Sequence, residues 1–77
     1  MSAAVISLQC EHLQATHAER LALNNCAALL FSANNSRTMA ERDQHLRARL
    51  WWLRDLDEAR ARLRDLEQQL SALGAKP

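Results

Sequence analysis

The chain reads as all-α: two long helices folded back on each other as an antiparallel hairpin, dimerising into a four-helix or coiled-coil arrangement. Three observations predict this. Gly and Pro occur once each among the 77 residues, at Gly74 and Pro77, so no strand-and-turn punctuation precedes the end of the chain. Ala, Leu, Arg, Glu and Gln dominate the composition, and all are strong helix formers. The one interior break, residues 32–38, gathers Ser, Asn and Thr side chains that compete for helical hydrogen bonds.

The first helix is expected over about residues 3–32. From Leu21 onward its apolar residues face nearly every direction, through Leu23, Ala27, Leu30 and Phe31. A helix apolar all round has to be covered on more than one side. Leu8, Ala15, Ala22, Cys26 and Leu29 mark one line along it, and Ile6, Cys10 and Leu13 another. Asn24 and Asn25 interrupt the apolar stretch.

A loop at about residues 33–37 follows, then a second helix over about 38–73. Thr38 and Glu41 have capping-box spacing, in which the hydroxyl accepts from the Glu41 amide and the carboxylate reaches back. Gly74 supplies a left-handed stop. So short a loop between long helices favours antiparallel neighbours, and residues 1–77 form one helical-hairpin domain. At 1.5 Å rise per residue the second helix is roughly 54 Å long, which excludes a three-helix ball.

Within the second helix Leu56, Ala59, Leu63, Leu66, Leu70 and Leu73 alternate in steps of three and four, the apolar spacing of a coiled coil. The stripe continues upstream as Leu46, Leu50 and Leu53, but two successive steps of three at Leu53 predict a stammer that turns the seam around the helix. These leucines, with Leu29 and Phe31 of the first helix, are the expected core and dimer seam. With Leu56 as the first heptad position, a parallel dimer would bring Asp55 to the partner copy's Arg60 and Arg62 to its Glu67.

Leu50, Trp51, Trp52 and Leu53 are four consecutive apolar residues, which at 100° per residue sweep about 300° of the helix circumference. One neighbouring helix cannot cover them all. Either both tryptophans fill a dimer core, or one stays open as an anchor for a different protein, since Trp and Arg dominate such anchors. Trp51 and Trp52, flanked by Arg47, Arg49 and Arg54, are therefore the candidate partner-binding residues. The stripe Leu46, Leu50, Leu53 places Trp52 farther from the seam centre than Leu50.

Charge and composition narrow the function classes. Ten Lys plus Arg against nine Asp plus Glu leave a net charge of +1, which argues against a general nucleic-acid binder. Arg37, Arg42, Arg47, Arg49 and Arg54 precede a leucine heptad, an order that resembles a basic-region leucine zipper. Glu41 and Asp43 dilute that charge, however, and Leu46, Leu50, Trp51 and Trp52 put apolar bulk where bases and phosphates would lie, so nucleic acid is disfavoured as a partner. There is no basic leader segment before the first apolar positions, and the longest apolar run, residues 26–31, is far short of a membrane span. A reducing, cytoplasmic setting is the resulting expectation.

No catalytic site is expected. One internal glycine cannot build a phosphate loop, and the acidic residues of the second helix interleave with arginines as a paired, solvated face. Cys10 and Cys26 lie roughly 24 Å apart on one helix, too far to bridge. His12, His17, His45 and the two cysteines have no chelating spacing, so neither metal nor cofactor is expected. What remains is a protein-interaction module that pairs with itself and with a larger protein, as an inhibitor, anti-activator or adaptor masking a regulator or motor. Its size also suits an inhibitor encoded by a phage or mobile element. The alternative is a structural coiled-coil subunit of a larger assembly.

Overall fold

The computed structural model describes residues 2–77; Met1, included in the single-domain reading, lies outside the described residues. Two helices, α1 (Ala3–Asn34) and α2 (Met39–Ala72), pack antiparallel as a hairpin of 55 × 14 × 13 Å. Among the described residues there is no strand.

Each helix end is closed by a local device. Ser2 caps α1, its hydroxyl accepting from the Val5 amide at 3.2 Å. At the other end α1 runs two residues farther than the clustered polar side chains suggest. Asn35 Nδ2 donates to the Phe31 carbonyl and Ser36 Oγ to that of Ser32, both at 2.8 Å, so these residues satisfy the final carbonyls and extend the helix. Thr38 caps α2 by accepting from the Glu41 amide at 3.1 Å. Glu41 reaches back one residue beyond the expected target, to the Arg37 amide. Gly74, at φ 71°, ends α2 in a Schellman turn: Ala75 N–H donates to Leu70 and Gly74 N–H to Ser71.

The core is one heptad seam per helix. On α1 it runs Val5, Leu8, His12, Ala15, Glu19, Ala22, Cys26, Leu29, Ala33, every one buried or half-buried. On α2 it runs His45, Arg49, Trp52, Leu56, Ala59, Leu63, Leu66, Leu70. Small residues hold several of these positions, Ala22 being wholly inaccessible. They let the backbones come close, at the expense of a thin core.

This register corrects four expectations. The seam of α2 keeps its alternation through Trp52, Arg49 and His45 without a stammer, and the Leu46, Leu50, Leu53 stripe stands to one side of it. Leu50, 65% exposed, and Phe31, 71% exposed, consequently lie outside the hairpin core, whereas Leu56, Leu66 and Leu70 are buried within it and Leu29, Leu46, Leu53 and Leu63 half-buried. Trp52, not Leu50, is the residue nearer the seam. Finally, the Leu56 to Leu70 seam is covered by α1 of the same chain, and Arg62 and Arg60 bind Glu11 and Glu19 at 2.9 and 3.2 Å. It is therefore not free for a parallel zipper with a second copy. Leu73, the C-cap, is 54% exposed.

Candidate protein interface

The apolar belt of α2 is divided among three directions. Trp52 points into the seam and is half-buried; its edge shows in a groove with Ala15, Ala18 and Leu21 of α1 and Asp55, Ala59 and Arg62 of α2. Leu53 lies on one flank of the hairpin. Trp51 is on the outer back of α2 and 71% exposed.

Arg47 and Arg54 stand one turn before and one turn after Trp51, because residues four and three apart share a helix face. The Arg54 guanidinium carbon is 6.0 Å from the Trp51 ring centroid, within cation–π range. Arg47, Leu50, Trp51 and Arg54 together line a shallow depression. An indole between two guanidinium groups is a surface with an apolar centre and a cationic rim.

Of the five residues singled out from the sequence, Arg47, Trp51 and Arg54 come together on this back face. Arg49 does not join them. It is half-buried at the seam, and its Nε donates to the Cys26 carbonyl at 3.3 Å. An arginine stem can line a seam while its head finds a polar group at the edge, so spacing among arginines alone does not tell an outward one from an inward one. Trp52 is likewise turned away from Trp51, by the 100° between neighbours.

A second feature was only half visible in the sequence. The ion pair Glu19–Arg60 and the contact of His12 Nε2 with Glu67 at 3.1 Å fix the register along one flank. Nearer the loop Cys26 and Arg49 lie side by side, Arg49 Nε donating to the Cys26 carbonyl and Cys26 Sγ to the Arg49 carbonyl; about one turn towards the termini from this pair Leu23 comes level with Leu53, and about one turn towards the loop Leu30 comes level with Leu46. Leu50 and Ala27 lie between these pairs at the outer edge. The flank carries no charge from there to the loop end until Asp43, and Leu23 and Leu30 remain about two-fifths exposed. The usable signal was that both follow seam residues, Ala22 and Leu29, by one position.

Neither cysteine is bridged; Cys10 is exposed and Cys26 buried. Among the described residues no three His, Cys, Asp or Glu side chains approach closely enough to hold a metal ion. No helix is long and apolar enough to cross a membrane. No protein-family model, curated protein or solved structure matches the chain.

Proposed function

We propose that this chain is a non-enzymatic protein-interaction module that pairs with a second copy of itself and docks on a larger protein, masking a surface on it as an inhibitor, anti-activator or adaptor. The observation that carries the reading is Trp51: a large aromatic side chain held on the back of a straight helix, between two arginines, with 71% of its surface in solvent. Such a residue adds little to the hairpin that holds it, and Trp with Arg is the composition of binding hot spots. The partner it fits is a protein with an apolar slot for the indole, rimmed by carboxylates that take the Arg47 and Arg54 guanidinium groups bidentately.

The test is capture of proteins on immobilised wild type, Trp51→Ala, Arg54→Glu and Arg64→Ala chains in parallel. A partner retained by wild type and Arg64→Ala, and lost from both Trp51→Ala and Arg54→Glu, supports the reading. A hot-spot tryptophan contributes about 2 kcal/mol or more, roughly thirtyfold in affinity. Retention unaffected by Trp51→Ala overturns it and leaves a structural subunit as the better account.

A further inference from the structure

The structure assigns the leucine flank a single occupant: the same flank of a second chain, related by a two-fold axis parallel to the helices, so that both loops lie at one end of a four-helix bundle. This rests on the self-pairing part of the proposed function and adds the surface, the symmetry and the charge contact that specifies it.

Area argues for an occupant. A compact monomer of 8.7 kDa has an accessible surface of about 4,700 Å² by the usual scaling. The hairpin exposes 5807 Å². The difference, about 1,100 Å², is more than one side of a standard protein interface, about 800 Å². Leu23, Leu30, Leu46, Leu50 and Leu53 form a face of both helices that is apolar over several turns with no charge among them.

Charge argues for the second copy and for its orientation. A rotation about an axis parallel to the helices leaves each residue at its own height, so a residue of α1 meets the partner residue level with it in its own chain. At the termini-facing border of the flank, Arg20 is then level with Asp57 of the other copy. At the centre Ala27 meets Leu50, small against large. At the loop border Asn34 meets Asp43, a polar pair. Arg20 and Asp57 are both exposed, and neither forms an ion pair in the hairpin. The symmetry makes the Arg20–Asp57 contact twice.

The opposite orientation, with the two-fold axis crossing the flank at Leu50, stacks α2 on α2. Asp43 and Asp57 each stand two turns from Leu50 on its own side, so they meet as like charges, twice. Leu50 also meets itself. Like charges opposed at an interface border suppress that arrangement.

Under the loops-together arrangement the belt is fully used: Leu53 and Leu50 in the dimer, Trp52 in the hairpin seam, and Trp51 outside and available to a different protein.

The experiment is sedimentation equilibrium on the full chain and on Arg20→Asp, Asp57→Arg and the double swap, with circular dichroism to establish that each is folded. Wild type is expected to be a dimer at micromolar concentration. Each single swap turns two attractive contacts into two repulsive ones and raises the dissociation constant about tenfold or more, while the double swap restores it to within about threefold. A dimer that is tightened by Asp57→Arg refutes the loops-together arrangement, because only the opposite orientation sets position 57 against Asp43. A dimer indifferent to all three swaps refutes the flank as the interface. A folded wild-type monomer refutes self-pairing altogether, and with it this inference, while leaving the Trp51 reading to its own test.

Discussion

Replacing each tryptophan separately by alanine reads out the register of the hairpin. Truncating a fully buried Trp costs about 3–5 kcal/mol. Trp52 is half-buried in the seam, so about 2 kcal/mol is expected for Trp52→Ala. A domain of this size loses about 4–8 °C of melting temperature per kcal/mol, which puts the drop near 10 °C. Trp51→Ala removes a side chain that is 71% in solvent and beside which the Arg54 guanidinium of the same helix lies. The lost contact, under about 1 kcal/mol, is offset by the better helix propensity of Ala, about half a kcal/mol. Its melting temperature should fall within about 3 °C of wild type. Thermal denaturation followed by circular dichroism, at one protein concentration because the proposed pairing would make melting concentration-dependent, measures both. Fluorescence supplies a cross-check: the tryptophan left in Trp52→Ala should emit as a solvated indole, and that left in Trp51→Ala at shorter wavelength. Equal destabilisation by the two substitutions, or the larger loss at Trp51, would refute the continuous seam through Trp52 and Arg49 and restore the stammer.

Two further outcomes follow from the same packing. Ala22 has no accessible surface, so Ala22→Leu forces the helices apart and should cost about 1–3 kcal/mol, whereas Ala61→Leu on the exposed face should be close to neutral in the same melt. Alkylation of the folded protein followed by mass spectrometry should label Cys10 readily and Cys26 only after denaturation, since Cys10 is exposed and the Cys26 thiol is buried against the Arg49 carbonyl; comparable labelling of both would mean that the loop-proximal half opens easily.

Element type and order were legible because the determinants are local. One internal glycine, a polar cluster and the Thr38 and Glu41 spacing are sufficient to place two helices and their turn, and the bonds from Thr38 and Gly74 are the ones their residue types demand. The Leu56 to Leu70 seam was legible for the same reason. Upstream of it, ranking residues by hydrophobicity chose the wrong line. Leucines at 46, 50 and 53 outrank His45, Arg49 and Trp52, yet the latter three continue the geometric line along which α1 approaches. Small residues on α1, Ala22 and Cys26 among them, leave room there for an indole and an arginine stem. The Arg49 head then reaches a backbone carbonyl that only the folded hairpin brings to it. Sequence pattern cannot register that bond, because its acceptor belongs to the other helix.

The displaced leucines explain why a chain with so thin a core carries so much apolar surface. In a two-helix hairpin each helix has one neighbour, and a seam built from Ala15, Ala22, Ala33 and Ala59 brings the backbones together without burying much side-chain area. A chain below about 80 residues seldom gets enough stability from one such core. Leucines at Leu23, Leu30, Leu46, Leu50 and Leu53 would be a liability on a monomer, exposed as one uncharged strip. Set against the same strip of another copy, as proposed above, they would instead be buried in a four-helix core. With the Arg20 and Asp57 contacts at its border and Trp51 on its outside, orientation and partner binding would draw on separate residues, while Leu50 lines both the strip and the depression beside Trp51. Leu50→Asp tests the pairing: it should abolish it and lower the melting temperature to the concentration-independent value of the lone hairpin. It should leave the bond between Arg49 and the Cys26 carbonyl in place, since that bond lies in the hairpin seam and the exposed Leu50 side chain, about 100° round the helix from Arg49, lies outside it, and hydrogen exchange at the seam amides of α1 should slow and quicken only with global stability.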